Sequence, residues 1–519
     1  MNRISRTCLR PLLASILRGR WDGACAPEGF GISALRMARR AASGLPGKRL
    51  LTAGLLGTLF SVQPGLAASP ALAQQTAKML TAQSGTVNEV HVDFSETTLK
   101  NGLRVQLAED HGAPVIALNM AYDVGSRNER KGLTGFAHLF EHMMFKGSKN
   151  VGDGEHFYQI FSNGGSMNGT TSADITLYFE TLPANQLELA LFLEADRMRS
   201  LELTQEKLDN QRHAVQEERR LRVDNRPYGR ADEYFGELFY DNFAYKHSTI
   251  GSMEDLNAAS LEDVADFFTT YYAPNNAVLS LVGDFDSAQA LELIRTYFED
   301  IPRQRAPPAV DLKEPLQTAE RRDTLTDPLA RLTQIQIAYK LPPGNTADLP
   351  ALQVLSSILQ GGHSSRLYQS LNKQKELVVN IGGFVDERIG PGGFYVGATL
   401  RPGSRPADVE AAIYAQMDLL MKDPVAVWEL QKAKNTTRLA FLQGIRSAQA
   451  RATMLGSYTV KFGDPNLINT RLGRLEGVTD DDVQRVARRY LQARNRTVVI
   501  TTPVPASTPA GTEPEPPGT

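Results

Sequence analysis

The chain has 519 residues, a formal net charge of −2, and a composition that is 42% hydrophobic and 22% charged. Its basic and acidic residues are interspersed, which argues against a nucleic-acid face or a polybasic membrane patch. The length is too great for one ordinary hydrophobic core, so roughly two to four domains are expected.

The first stretch reads as a targeting segment rather than as fold. Arg39, Arg40, Lys48 and Arg49 precede an apolar run from Leu50 to Val62, and small residues follow as far as Ala71-Leu72-Ala73. A basic region, a short apolar region and an A-x-A site make a secretory signal over residues 1–73, cleaved after Ala73, with Ala67 or Ala68 as the other sites. Met37 offers a second start, which would leave residues 1–36 untranslated. The apolar run is short for a membrane span, so the expectation is a periplasmic or secreted protein with no stable span after cleavage. Both cysteines, Cys8 and Cys25, lie before Met37, so the mature chain would have neither disulfides nor a cysteine metal site.

Folded sequence is expected from about Phe94. Two short strands, Thr97–Lys100 and Leu103–Leu107, flank Asn101-Gly102 as a hairpin. Val115–Tyr122 alternates as a strand, Leu133–Lys146 reads as a helix, Ile175–Thr181 as a strand and Leu187–Ser200 as a helix. Thr204 N-caps a long helix running to about Val223. Pro302, Pro307, Pro308 and Pro315 mark residues 302–320 as a linker, and residues 502–519, rich in Pro, Thr, Gly and Glu, read as a disordered tail.

The parts on either side of the linker echo each other. Ile116–Tyr122 parallels Thr333–Tyr339, and the Val264, Tyr271, Asn276 spacing parallels Val483, Tyr490, Asn495. Near-equal separations suggest a duplicated α/β unit.

The residues with the clearest chemistry are His138-Leu139-Phe140-Glu141-His142. Residues four apart share one helix face, so His138 and His142 present two imidazoles to one metal ion. Glu141, beside the second His, is placed to reach a water on that metal. This is the H-x-x-E-H order of the inverzincins. In the second half the corresponding positions fall near Leu355, Ile358 and Leu359, which are apolar, so one metal site per chain is expected. The other histidines, at 91, 111, 156, 213, 247 and 363, show no partner spacing.

With this motif the chain resembles the inverzincin zinc peptidases, the family of pitrilysin, insulysin and the mitochondrial processing peptidase, in its short bacterial form. Further matching pieces are Gly164–Thr171 leading into Asp174–Tyr178, Ala214–Arg220, and Asn225-Arg226-Pro227-Tyr228-Gly229. The resemblance implies an α+β fold of two homologous α/β domains, residues 94–301 and 321–501. Each is a largely antiparallel sheet packed with helices, and the two form a clamshell. It makes Glu218 the third zinc ligand after His138 and His142, rather than its neighbour Glu217, and Glu141 the general base. It also implies that substrate adds as a strand at Asn168, Gly169 and Thr170.

Two departures stand out. Where many relatives carry an Arg and a Tyr that bind substrate and help the oxyanion, this chain has Asn372 and Val379. Where many carry an acid two turns before the third ligand, it has Gln211. The first departure leads to the expectation of a zinc endopeptidase for peptides or unfolded segments that completes its site with a homologous subunit bearing the Arg/Tyr pair. A homodimer is the other arrangement, and a non-catalytic structural or substrate-binding subunit the alternative function.

Overall fold

Two sheets with corresponding strand orders organise residues 90–504, the part of the chain that the computed structural model describes. The expected signal segment, the start at Met37 and residues 505–519 of the expected tail lie outside these residues. The first sheet contains β1 (Ser95–Thr98), β2 (Arg104–Glu109), β3 (Val115–Tyr122), β4 (Ser166–Thr171), β5 (Thr176–Pro183) and β6 (Ala277–Gly283). Its order is β1-β2-β6-β3-β5-β4. The second contains β7 (Arg321–Asp327), β8 (Gln334–Pro343), β9 (Val378–Asp386), β10 (Pro391–Leu400) and β11 (Arg496–Pro503), in the order β7-β11-β8-β10-β9. Among the described residues only β2–β6 and β7–β11 pair in parallel, so both sheets are largely antiparallel.

The internal echo has a physical counterpart. Strands β3, β5, β4 and β6 correspond to β8, β10, β9 and β11 in place and direction. The paired asparagines make matching hydrogen bonds. Asn276 Nδ2 donates to Tyr271 O at 2.9 Å and Asp123 O at 3.2 Å. Asn495 Nδ2 donates to Tyr490 O at 2.8 Å and Lys340 O at 2.9 Å. Each ties the end of a helix to the strand beside it. In the second half the helix Leu349–Gln360 buries Leu355, Ile358 and Leu359 completely, as apolar residues there should be.

The two sheet-and-helix halves form the expected clamshell. The helix Ala448–Phe462, from the second half, lies against the first sheet, and Ala452 and Leu455 pack on Ala117 and Val282. Gly456 is needed there, because a Cβ would come within 2.5 Å of Asn119 Nδ2. Between the halves, Tyr245 Oη donates to Asp174 Oδ1 at 2.7 Å and accepts from Gly390 N at 2.9 Å. Residues 302–320 contain no helix or strand, yet they are held down. Glu314 pairs with buried Lys340 at 2.5 Å, and Gln317 Nε2 donates to Arg496 O at 2.8 Å.

Several boundaries differ from the sequence reading. The helix expected over 133–146 spans only Phe136–Met143. Gly135, the residue before it, has left-handed backbone at φ +82°, which breaks the helix there, and a Cβ at that position would sit 2.4 Å from Ile250 O. The helix capped by Thr204 ends at Arg219 and continues as a π turn over Arg220–Asp224. Strand β11 runs to Pro503, so Thr502 and Pro503 belong to the sheet and not to a tail. Order also begins before Phe94, since Val92 is buried and its N–H donates to Asn469 Oδ1 at 2.8 Å. Among the described residues, no helix is long and apolar enough to cross a membrane.

Candidate metal centre

The helix Phe136–Met143 packs Phe136, Leu139, Phe140 and Met143 into the first core. That burial fixes its rotation and turns His138 and His142 together toward the helix Gln205–Arg219. Its entry is fixed by Glu129, whose carboxylate accepts from Gly135 N at 3.0 Å and Ala137 N at 2.8 Å. Glu129 is held in turn by His247, whose Nε2 lies 2.8 Å from Glu129 Oε2. His247 Nδ1 lies 2.8 Å from Phe243 O, which orients the ring.

Glu218 comes from the helix Gln205–Arg219 and meets the His pair. Its Oε2 lies 3.6 Å from His138 Nε2 and 3.3 Å from His142 Nε2. Ligands at about 2.0–2.1 Å around tetrahedral zinc stand about 3.3 Å apart, so these three donors fit the ion. Burial lowers the His138 pKa to about 4, which keeps its ring neutral and able to ligate. His142 beside Glu218 holds that carboxyl below its ordinary value, as a ligating carboxylate needs. Glu217 points elsewhere and pairs with Arg220.

Glu141 faces the edge of the first sheet. Burial raises its pKa, and a hydrogen bond of 2.5 Å from Thr171 Oγ1 to Glu141 Oε2 opposes that rise. Gly169 permits the approach, since a Cβ there would come within 3.0 Å of Glu141 Oε1. Strand β4, carrying Asn168, Gly169 and Thr170, is the sheet's edge and, among the described residues, pairs only with β5. Asn168 Oδ1 accepts from Gly169 N at 3.0 Å. Two cavities flank the centre. One, of about 300 Å³, is lined by Glu141, His142, Phe145, Asn168 and Gln211. The other, of about 660 Å³, lies between the halves and includes His138, Arg222, Tyr245, Phe384 and Arg388. Gln211 donates to Asn210 Oδ1 at 2.6 Å. Asn372 donates to the carbonyls of Val378 and Val379 at 3.0 and 3.2 Å, so its amide is committed to its own turn.

Glu129, His247 and the contact of Thr171 with Glu141 escape the sequence reading because their partners are set by the fold and not by spacing. Arg222 stands four residues after Glu218, a helical spacing that the sequence did offer. His156, which shows no partner in the sequence, is buried against Glu180 at 3.5 Å, with Glu194 close by. This second cluster of ligand-type groups already holds a cation: Arg197 Nε donates to Glu194 Oε2 at 3.0 Å. Burial pushes the Glu180 carboxyl from 4.5 up to about 8. The folded state therefore favours the neutral acid, and that stability is present below pH 4.5 and lost as pH rises through about 8. Glu180→Gln should remove this loss, on the order of 4 kcal/mol. Thermal unfolding followed from about pH 5 to about pH 8 checks it. The variant's Tm should gain on the native chain as pH rises, and parallel curves would contradict the assignment.

Comparison with known proteins agrees with this geometry. Residues 104–251 match the family model described as insulinase (peptidase family M16), and residues 258–437 match the M16 inactive domain. Zinc protease PqqE of Helicobacter pylori is 32% identical over 409 residues, covering 78% of this chain and 92% of the relative. The chain belongs to peptidase family M16. A crystal structure of a protease from Helicobacter pylori superposes on this M16 chain with a TM-score of 0.77 at 31% identity, covering 80% of this chain and 100% of that one. The beta subunit of the mitochondrial-processing peptidase of Bos taurus is 29% identical over 202 residues, 39% of this chain and 41% of the relative.

Proposed function

We propose that the chain is a zinc endopeptidase of peptides or unfolded segments, exported to the periplasm or beyond, with one zinc held by His138, His142 and Glu218. The observation that carries the reading is the meeting of these three donors beside a buried Glu141. When bound, zinc would polarise the substrate carbonyl and lower the pKa of water toward about 7. Glu141 takes a proton as the water oxygen bonds to the carbonyl carbon, and the carbonyl electron pair moves to oxygen. The C–N bond then breaks and the leaving amine takes the proton from Glu141. Strand β4 offers unpaired backbone groups on its outer side, where Asn168, Gly169 and Thr170 would align an extended substrate.

Asn372 and Val379 supply neither charge nor a free donor to the centre, which favours a homologous partner subunit bearing the Arg/Tyr pair. The relative named as a subunit of a processing peptidase supports this pairing. The test is cleavage of a quenched peptide by the zinc-loaded chain, alone and with a homologous partner, with and without chelator. The expected result is chelator-sensitive cleavage that rises strongly with the partner. Full activity alone would refute the pairing, and no cleavage by either preparation would favour the non-catalytic subunit.

A further inference from the structure

We propose that Arg222 is a catalytic residue that stabilises the oxygen of the tetrahedral intermediate, an assignment that rests on the peptidase reading above. Arg222 sits in the π turn Arg220–Asp224, directly after the helix that bears Glu218. Such turns insert an extra residue and frequently occur at functional sites. Its Nη1 lies 2.7 Å from Glu218 Oε1, the carboxylate oxygen turned away from the His pair, yet its side chain is 71% exposed. The rest of the guanidinium is therefore free to meet a ligand in the large cavity that His138 also lines.

The backbone that presents Arg222 is held from the other half. Tyr228, at φ +66°, is fixed by Asp327 Oδ2, which accepts from its N–H at 2.6 Å, and by Leu332 O, which accepts from its hydroxyl at 2.7 Å. Gly229 packs against Val223 so closely that a Cβ would lie 2.2 Å from Val223 O. A strained residue held by both halves is expected where a position matters. Of the other two arginines that line this cavity, Arg226 pairs with Asp232 at 2.8 Å and Arg388 with Asp386 at 2.6 Å, so neither is tied to a ligand of the candidate metal centre as Arg222 is. Glu141 lines the smaller cavity and Arg222 the larger, so the two side chains reach the candidate metal centre from different cavities.

The experiment compares Arg222→Ala and Arg222→Lys with the native chain, in whichever assembly cleaves the quenched peptide. Zinc per chain, kcat, KM and the affinity of a phosphinic peptide, a tetrahedral mimic, are measured. Arg222→Ala should keep its zinc, lose about 100- to 1,000-fold in kcat, and bind the phosphinic peptide more weakly by a similar factor. Free guanidinium ion should restore part of the rate, and Lys should rescue less than the native Arg. Unchanged kcat would overturn the assignment. So would loss of zinc and activity together with both restored by excess zinc, because Arg222 would then only prop Glu218. A native chain that holds zinc but neither cleaves the peptide nor binds the phosphinate would instead refute the peptidase reading.

Discussion

Replacing Glu141 by Gln should leave one zinc per chain and lower kcat by about 100- to 10,000-fold, the usual worth of a positioned general base. The amide keeps the size of the carboxyl and can still accept from Thr171 Oγ1, which lies 2.5 Å from Glu141 Oε2. What it loses is the capacity to take a proton. Glu141 is not among the three grouped donors, so metal content should not change. Metal analysis and steady-state cleavage of a quenched peptide check this. A variant with native kcat would end the general-base assignment, and one that lost its zinc would make Glu141 a ligand.

The second large effect is expected at Glu218. Glu218→Ala removes one of three donors and leaves two imidazoles. Zinc affinity should fall by more than about 100-fold, beyond what loss of an outer partner costs. Activity at limiting zinc should fall with it. The neighbouring Glu217→Ala is the control, since Glu217 is exposed and pairs with Arg220. Equal zinc affinity in the two variants would exclude Glu218 as a ligand.

The His pair of the candidate metal centre is legible in the sequence because its signal is local. Four-residue spacing places His138 and His142 on one face, and the resemblance supplies Glu218. The strand Val115–Tyr122 and the helix Leu187–Ser200 are also readable to the residue, although the strand is buried on both faces and does not alternate in burial. The π turn after Arg219 is not, since contacts distant in sequence, from Asp327 and Leu332 to Tyr228, help to hold the chain there. His156 and His247 are hidden for the same reason. Each finds its carboxylate, Glu180 or Glu129, far away in sequence, and spacing alone carries no trace of such a pair.

The most direct test of the account is anomalous diffraction at the zinc edge from crystals of the zinc-loaded chain. One peak should lie about 2.0–2.1 Å from His138 Nε2, His142 Nε2 and a Glu218 carboxylate oxygen. A peak among His156, Glu180 and Glu194, or none beside the His pair, would contradict it.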